Sequence, residues 1–468
     1  MKNLKTIIGL AAMALCLGFA SCSSDDDAPS YSTAAVSNSK LMTILKDKGY
    51  QFNEQGNLLL DDKATSTTSL DLSGTKISQK ALAELNILPN LTDVNLSNNG
   101  YEDSFDFSNL PAQVTGIDLT GNEIKDYDNL IKVTVAENGD ETIENLHNIT
   151  KLYLPNEAKN NISQLVRFYR QNKNAIDNGT MDVKMSNAKG MLDKFNTLRE
   201  VPNEKLRNYL CQETAFSDLF DGEKINLEKH LSMNQKTNNI IIDESLSDIS
   251  SLEGIQYIIN NPTWEGTTIT IKNNEKVSLP QIEIPSTITY LTLVNTDSNF
   301  NLSNAKALYF IDLEGISDLD VLDLTNTAYA LRESSIERDD LSGSKLIIYD
   351  CENLTSIVLP KDKDLYTNTF DIECLPNLKQ INWENFKMIC HMSIGDLSDN
   401  YQLSYPNLTD FMGGPRKNKT YFACSQSTFE RASTKEFIDK FYNSSSPKKL
   451  ATTTLLGCSK NQGVSWWK

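Results

Sequence analysis

The side chains that most often carry out acid–base chemistry near neutral pH are scarce in this chain. It has three histidines, His147, His230 and His391, and none of them lies in an H-E-x-x-H motif. The sequence contains no G-x-S-x-G nucleophile motif and no glycine-rich loop of the kind that cradles phosphates. Its 62 acidic residues offer many carboxylate pairs, but no stretch singles out one pair as a glycosidase centre. We therefore predict no enzymatic activity and no cofactor.

Residues at metal-binding spacing are absent as well. The eight cysteines form no C-x-x-C pair and no Cys/His arrangement typical of zinc. Asp312, Asp318 and Asp320 carry the oxygen ligands that Ca²⁺ accepts, but their spacing does not match an EF-hand loop. We predict a solvated loop there and no metal site.

Two pairs of cysteines suggest different states. Cys351 and Cys374 lie 23 positions apart (374 − 351) at similar points of a repeated pattern, which favours buried thiols stacked in successive repeats. Cys424 and Cys458 lie near the C-terminus, and in an oxidising compartment they could form a disulfide. The sequence leaves that pairing open.

Two stretches with alternating apolar residues carry the candidate ligand-binding side chains. In 290–293 and 310–313 the apolar residues Leu291, Leu293, Ile311 and Leu313 stand at alternate positions, which is typical of a strand with one buried face. The residues between them would point out of the sheet on neighbouring strands about 4.8 Å apart. Those residues are Tyr290, Thr292, Phe310 and Asp312. An exposed aromatic ladder beside a carboxylate could stack on a sugar ring or hold a peptide side chain. The alternative is that the two rings cover each other or lie beneath another segment.

The elements that would position these residues come from a repeat. Between 353 and 382 the apolar residues Leu354, Ile357 and Leu359 recur as Leu378, Ile381 and Trp383, a pattern typical of leucine-rich repeats. Related stretches occur at 70–75, 91–99, 114–122, 149–155, 268–272, 288–293, 308–313, 321–324 and 345–348. The spacing is irregular, because Leu313 and Leu324 are only 11 residues apart (324 − 313), so one of those two strands is not a repeat strand or a loop is missing.

The asparagines that follow two of these strands have a specific expected role. Asn99 and Asn122 occupy the position at which leucine-rich repeats place a buried amide, and that amide hydrogen-bonds backbone groups of the turn.

Segments outside the repeats have helical spacing. A short helix at 40–48 ending at Gly49 and a hairpin at 50–60 predict an N-terminal cap. Three- and four-residue apolar spacing at 162–170 and 204–220 predicts helices in an insertion at 156–235. Another helix is predicted at 433–442, after the chain-breaking Gly413-Gly414-Pro415.

The predicted fold is therefore α/β: a leucine-rich-repeat solenoid of irregular, short parallel strands with a helical insertion and terminal caps. The predicted segments are 1–22 (signal peptide), 23–38 (flexible tether), 39–155 (cap and first repeats), 156–235 (helical insertion), 236–412 (second repeat block) and 413–468 (C-terminal cap or small domain).

The N-terminus predicts export and lipid attachment. Residues 1–22 combine two lysines, an apolar core and small residues before Cys22, as in a secretory signal. The Ala-Ser-Cys ending resembles a bacterial lipobox, which implies lipidation of Cys22. The residues that follow, Ser23, Ser24, Asp25, Asp26 and Asp27, resemble the surface-export signal of Bacteroidetes lipoproteins. The alternatives are an ordinary signal peptide cut elsewhere and a solvated acidic linker.

The later repeats carry a further resemblance. The form C-x-x-L-x-x-I-x-L-P from Cys351, with Phe370 and Cys374 about 20 residues on, resembles the BspA-like leucine-rich repeats of bacterial surface proteins. With the lipobox and the acidic run, the chain resembles a Bacteroidetes surface lipoprotein with leucine-rich repeats. Members of that class are often adhesins or partner-binding proteins, although the repeats themselves do not define a ligand.

These observations predict a binding function at the cell surface. A net charge of −18 argues against nucleic-acid binding and against docking on anionic lipid head groups. We expect an outer-membrane lipoprotein, exposed on the cell surface, that binds a macromolecular partner, with a protein favoured and adhesion or host interaction as the role. The alternative is a surface protein that binds or processes an extended polysaccharide; a structural coat protein is the third possibility.

Overall fold

A computed structural model shows a mixed α/β chain with two compact units, Met1–Phe195 (unit 1) and Asn196–Lys468 (unit 2). The structure describes residues 31–136, 141–156, 163–187, 189–243, 246, 249–331, 344–397, 402–408, 421–441 and 453–456. The sheets of both units are mostly parallel, and neither unit forms a closed barrel. The boundary between the two units, after Phe195, lies inside the segment 156–235 that was predicted to be a helical insertion.

Unit 1 is built around one sheet. Its strands are β1 (Thr33–Ala34), β2 (Leu58–Leu59), β3 (Ser69–Asp71), β4 (Asp93–Asn95), β5 (Ser104–Asp106), β6 (Gly116–Asp118), β7 (Asp126–Asp128), β8 (Ile131–Val135), β9 (Glu141–Asn145), β10 (Lys151–Asn156), β11 (Asp182–Ser186) and β12 (Leu192–Lys194). Its helices are α1 (Ser39–Asp47), α2 (Asp62–Ser66) and α3 (Ser163–Asp177), with 3₁₀ segments at Gln79–Ile87 and Phe107–Asn109. The sheet has the order β12-β11-β10-β6-β4-β3.

The predicted strands of unit 1 are confirmed as neighbours. β3, β4, β6 and β10 pair in parallel in that order, with Leu70, Val94, Ile117 and Leu152 at matching, buried positions. The predicted helix and hairpin are also confirmed as α1 and as an antiparallel turn around Gly56.

Asn99 and Asn122 form the expected buried amide ladder. The Asn122 Oδ1 atom accepts from the backbone N–H groups of Asn99 (2.9 Å) and Tyr101 (3.2 Å). Its Nδ2 atom donates to the carbonyls of Leu96 (3.0 Å) and Leu119 (2.8 Å). One side chain therefore satisfies four backbone groups from two consecutive turns, which would otherwise be buried without partners.

The segment predicted as a helical insertion is only partly helical. It contains α3, but β11 follows α3 and pairs in parallel with β10, so the first sheet continues into this segment. The predicted second helix ends at Leu210, and a three-stranded antiparallel sheet lies around it. The helical spacing concealed these strands because they are short and flanked by amphipathic stretches.

Unit 2 contains the strands β13 (Leu198–Glu200), β14 (Phe220–Asp221), β15 (Lys224–Asn226), β16 (Ile240–Ile242), β17 (Thr268–Val277), β18 (Ile282–Glu283), β19 (Tyr290–Thr296), β20 (Phe300–Asn301), β21 (Phe310–Glu314), β22 (Val321–Asp323), β23 (Lys345–Tyr349), β24 (Ser356–Val358), β25 (Leu365–Leu375), β26 (Gln380–Ile381), β27 (Phe386–Leu397), β28 (Tyr421–Ser425) and β29 (Thr453–Leu456). Its helices are α4 (Glu204–Leu210), α5 (Ile255–Ile259), α6 (Gln426–Phe429) and α7 (Ala432–Phe441), with a 3₁₀ segment at Ser217–Leu219.

From β21 to β27 the chain alternates between two parallel sheets. The large sheet has the order β16-β17-β19-β21-β23-β25-β27-β28-β29, and the small sheet has the order β22-β24-β26. β22 therefore belongs to the small sheet and β21 to the large one, which explains the 11-residue spacing. The stretches 354–359 and 378–383 each contribute a strand to the small sheet, in which Ile357 and Ile381 are register partners.

Five neighbouring strands of the large sheet share a backbone conformation near their ends. Each of the register-matched buried residues Leu293, Leu313, Ile348, Ile372 and Ile394 is followed two positions later by a residue with positive φ, and the same occurs after Leu72, Leu96 and Leu119 of unit 1. These residues are Asn295, Gly315, Asp350, Cys374 and Asp396 in unit 2, and Gly74, Asn98 and Gly121 in unit 1. Glycine, asparagine and aspartate tolerate this region best, which accounts for most of these residue types.

Both cysteine expectations need correction. The register pairs Tyr349 with Glu373, so Cys374 corresponds to Asp350, and Cys351 is one position out of step with it. Cys351 is a buried free thiol, but Cys374 is disulfide-bonded. Cys424 is also a buried free thiol, so it does not form the suggested bridge to Cys458.

The C-terminal segment contributes to the large sheet. The predicted helix is confirmed as α7, but β28 and β29 continue the large sheet in parallel register with β27. The described part of 413–468 is therefore not a domain separate from the large sheet.

We predict that Asn122→Leu lowers the free energy of unfolding by about 4 kcal/mol, since it leaves four buried backbone groups without partners. Urea unfolding followed by circular dichroism measures this loss. Asn174→Leu, a change at an exposed site of α3, is the control and should alter stability by less than about 0.5 kcal/mol. A loss below about 1 kcal/mol for Asn122→Leu would contradict the ladder's structural role.

Candidate functional site

The outer face of the large sheet brings side chains from successive strands into rows. The inward residues, such as Leu291, Ile311 and Leu346, are fully buried, and the residues between them point to the opposite face. The first row of this outer face contains Tyr290, Phe310, Lys345, Thr369 and His391 as consecutive register partners. The second row contains Thr292, Asp312, Ile347, Asp371 and Ser393, and the third contains Val294, Glu314, Tyr349, Glu373 and Gly395.

The predicted aromatic pair lies at one end of the first row. The ring centroids of Tyr290 and Phe310 are 5.2 Å apart, and Tyr309 adds a third ring 5.3 Å from Tyr290. Tyr290 remains 36% exposed and Phe310 is partly buried, so the rings contact each other without being removed from solvent. The Lys345 ammonium lies 5.6 Å above the Phe310 ring. The rings of this aromatic cluster (Tyr290, Tyr309, Phe310) are tilted against one another, and the Tyr290 ring is the most accessible of them.

The other two predicted residues, Thr292 and Asp312, are adjacent in the second row. Thr292 is only 7% exposed although it lies on the outer face. Asp312 is partly buried, and desolvation raises the pKa of its carboxyl group, while Lys272 acts in the opposite direction. The structure therefore brings all four predicted residues together, with Thr292 more deeply placed than the strand alternation indicated.

A cavity of about 490 Å³ lies further along the same face. Its lining residues come from four neighbouring strands, β23, β25, β27 and β28: Lys345, Ile347, Asn368, Thr369, Asp371, Glu373, His391, Met392, Ser393 and Ala423. We call this cavity, together with Asp312 and Glu314 beside it, the acidic groove. Cavities of this size are large enough for a peptide side chain or a sugar ring.

The carboxyl groups of the acidic groove are held away from solvent. Burial, with smaller contributions from Glu373 and Asp312, raises the pKa of Asp371 to about 7. Burial and then the charges of Asp312 and Asp350 raise the pKa of Glu314. Glu373 is stabilised by the Ser393 hydroxyl, which donates to its Oε1 atom at 2.6 Å.

The first row also carries basic groups. Burial, followed by the charge of Lys345, lowers the pKa of His391. His391 is therefore neutral over most of the physiological range, and Lys345 is the cation of the row. The groove thus combines the ammonium groups of Lys345 and Lys272 at its edges with several carboxyl groups on its floor.

The sheet of unit 1 has a different kind of outer face, in which the charges are paired with each other. Lys151 forms an ion pair with Asp93 at 3.0 Å, and Lys184 forms one with Asp182 at 3.3 Å. Tyr153 donates to Asp182 at 2.6 Å, and both lysines lie 4.9 Å from its ring centroid. A face that satisfies its own charges offers little to a ligand, so the large sheet of unit 2 is the better candidate site.

Sequence reasoning missed the acidic groove. Asp371, Glu373, His391 and Lys345 alternate with buried residues in β23, β25 and β27 in the same way as Tyr290 and Phe310 do in their strands. Aligning these strands by their buried residues would have placed them in the same rows. The export-signal residues Ser23, Ser24, Asp25, Asp26 and Asp27 and the lipidation residue Cys22 lie outside the described residues.

Two further properties of the described residues constrain the chemistry. Across the ranges that the structure describes, no group of three or more His, Cys, Asp or Glu side chains is arranged to hold a metal ion. Within the same ranges, no helix is both long and apolar enough to cross a membrane.

We predict that the acidic groove makes the protein less stable as the pH rises. A carboxyl group whose pKa is higher in the folded protein than in the unfolded chain contributes stability that is complete below its unfolded pKa of about 4. For Asp371 that contribution is lost as the pH rises through about 7. We expect Asp371 to account for about 2 kcal/mol of the fall in unfolding free energy between pH 5 and pH 8.

Urea unfolding at pH 5, 6, 7 and 8 of the native chain and of Asp371→Asn measures this contribution as a difference. The lowered pKa of His391 acts in the opposite direction and cancels in that difference. Asp362→Asn, at an exposed loop position, is the matched control. Parallel pH profiles for the native chain and Asp371→Asn would show the prediction to be wrong.

Comparison with known proteins identifies no relative of the chain. No family model, no curated protein and no solved structure matches it. The function is therefore argued from the sequence patterns and from the geometry of the outer face.

Proposed function

We propose that this chain is a lipid-anchored leucine-rich-repeat solenoid that binds a macromolecular partner, a protein, through the outer face of the large sheet of unit 2. The observation that carries the proposal is the in-register row Tyr290, Phe310, Lys345, Thr369 and His391, which places diverse side chains on five neighbouring strands. Cell-surface adhesion or host interaction is the role that we propose for this binding.

The solenoid part of the proposal is supported by the alternation of the chain between two parallel sheets. Ile357 and Ile381 are register partners in the small sheet and lie 24 residues apart in the sequence (381 − 357). The chain between them contributes one strand, β25, to the large sheet before it returns to the small sheet. The Asn99–Asn122 ladder and the recurring left-handed turn are consistent with repeats that stack on one another.

The dimensions of the row favour a macromolecule over a small substrate. Five neighbouring strands at about 4.8 Å spacing extend over about 19 Å. A row of that length is suited to an extended partner, which contacts several strands at once.

The identity of the side chains favours a protein partner. Desolvated carboxyl groups, a lysine and an aromatic cluster offer charge, hydrogen bonds and apolar area, and protein interfaces use all three. A polysaccharide is the second candidate, because Tyr290 is exposed and tyrosine rings commonly stack on sugars.

The membrane attachment in the proposal is supported by the sequence of residues 1–27. Cys22 would carry the lipid, and Ser23 with the acidic run would direct the protein to the outside of the outer membrane. The acidic net charge of −18 fits a protein that is held at a membrane by lipid and not by electrostatic docking.

We predict that Tyr290→Ala/Phe310→Ala weakens binding of a protein partner at least tenfold, because truncating the aromatic side chains that anchor an interface commonly costs about 2 kcal/mol or more. The soluble chain from Ala28 onward is screened against polysaccharides and against host surface and matrix proteins, and affinities are measured by biolayer interferometry. Tyr31→Ala, which removes an exposed ring in unit 1, is the control.

The screen separates the two candidates. Saturable protein binding that the double variant loses supports the proposal. Glycan binding that the double variant loses favours the polysaccharide alternative. A partner bound equally well by the native chain and the double variant would remove the aromatic cluster from the site.

We also predict that Cys22→Ser moves the protein from the membrane fraction to the soluble fraction, because no lipid can be attached. Cys16→Ser, within the same signal segment, is the control and should leave the protein in the membrane fraction. Protease shaving of intact cells measures surface exposure. Membrane retention of the Cys22 variant would show that lipidation at this residue does not anchor the chain.

A further inference from the structure

We infer that the acidic groove recognises a basic side chain, arginine or lysine, of the partner protein. This inference rests on the proposed function and specifies the chemistry of the partner. The partner would present a segment with a cationic side chain, and that side chain would lie between the two aspartates of the second row. The residues that define it are Thr292, Asp312, Ile347 and Asp371, which are consecutive register partners.

The first observation is an excess of carboxyl groups without cations to pair with. Asp312, Glu314, Asp371 and Glu373 lie on two strands, β21 and β25, that are separated by β23. In the described ranges of the chain, none of these four side chains forms an ion pair. The outer face of the sheet in unit 1 carries carboxylates that are paired with lysines. The four carboxyl groups on the outer face of the large sheet in unit 2 therefore differ from them in having no cation of the described chain as an ion-pair partner.

The second observation is a hydroxyl beside Asp312 that has no partner in the protein. Thr292 is 93% removed from solvent, lies on the outer face and is the register partner of Asp312. Within the part of the chain that the structure describes, its side chain makes no hydrogen bond, and its hydroxyl is not among the fully enclosed polar atoms that lack a partner. The hydroxyl therefore still opens onto the outer face, where a donor on a bound molecule would reach it.

The cations that face the groove lie at its edges. Lys272 is adjacent to Asp312 and Glu314, and Lys345 lies above the Phe310 ring with His391 beyond it in the same row. None of them reaches the centre of the second row to form an ion pair with Asp371. The negative charge at that centre is therefore available to an incoming cation.

The spacing favours an organic cation over a metal ion. Asp312 and Asp371 are two strands apart, so their backbones are separated by about 10 Å. Carboxylates that share one Ca²⁺ must place their oxygens within about 2.6 Å of it, which two groups this far apart do not do readily. An arginine or lysine side chain is long enough to reach between them and form charge-assisted hydrogen bonds.

The apolar residues of the intervening strand fit the same ligand. Ile347 lies between Asp312 and Asp371, and Tyr349 lies between Glu314 and Glu373. Both are partly buried and provide an apolar floor. The methylene stem of an arginine or lysine packs on such a surface while its charged head contacts the carboxylates.

The test compares two double variants that remove the same net charge. Asp312→Asn/Asp371→Asn changes the groove, and Asp362→Asn/Glu384→Gln changes two exposed loop residues outside the large sheet. The probe is an octa-arginine peptide with a fluorescent label, measured by anisotropy against the full soluble chain at 150 mM salt, about the physiological ionic strength. An octamer of alternating glycine and serine is the neutral control.

We expect the groove variant to bind octa-arginine at least tenfold more weakly than the native chain, and the loop variant to differ less than twofold. Equal weakening in both variants would show that binding follows net charge, and absence of binding by the native chain would also overturn the inference. The melting temperature at pH 8 checks folding: it should not fall in the groove variant, because the variant removes desolvated charges.

The outcome for the partner found in the screen separates this inference from the proposed function. A protein partner that is lost by Tyr290→Ala/Phe310→Ala but retained by the groove variant would overturn the inference and leave the proposed function intact. Loss of partner binding in both double variants supports the proposed function and this inference together. Retention of partner binding in both would contradict the proposed function and this inference together.

Discussion

The in-register pairing of parallel strands is the constraint on which the rest of this structure depends. Parallel strands have a side-chain period of two, so a register shift of one residue would exchange the buried and exposed faces of every strand. Leu291, Ile311, Leu346, Phe370 and Met392 occupy one inward row of the large sheet, and all of them are buried. Because burial of this row fixes the register of the strands, it also fixes the positions of the outward rows. Side chains of the outward rows are therefore spaced by the strand pairing and do not depend on contacts with each other.

The two units use this fixed outer face in opposite ways. In unit 1 Gly116 lies between Asp93 and Lys151, and a β-carbon there would approach the Asp93 Oδ2 atom to 2.3 Å. The absence of a side chain lets the ion pair cross the strand and neutralise the surface. In unit 2 the corresponding intervening strand carries Ile347 between Asp312 and Asp371, so the two acids are kept apart and no cation bridges them in the described chain.

Much of the fold could be predicted from the sequence because the buried residues themselves carry the pattern. That pattern is enough to predict the strands at 70–72, 94–96, 290–293 and 310–313, the helix α1 and the roles of Asn99 and Asn122. The assignment of β22 to a second sheet could not be predicted in this way, since apolar alternation looks the same in both sheets. The disulfide state of Cys374 was missed because the spacing of the pattern does not indicate which cysteines meet in space.

Only half of the candidate site could be predicted from the sequence, and the reason is physical. Aromatic residues next to buried strands stand out in a sequence, so Tyr290 and Phe310 could be proposed, but an aspartate in an acidic chain does not. What distinguishes Asp371 is its desolvation, which depends on strands 20 or more residues away and raises its pKa to about 7. Desolvated, unpaired charge lowers the stability of the folded chain, and the surrounding ladder of buried residues is what allows the fold to tolerate it. Such a cost is commonly found at functional sites, because a ligand of opposite charge then gains affinity from relieving it.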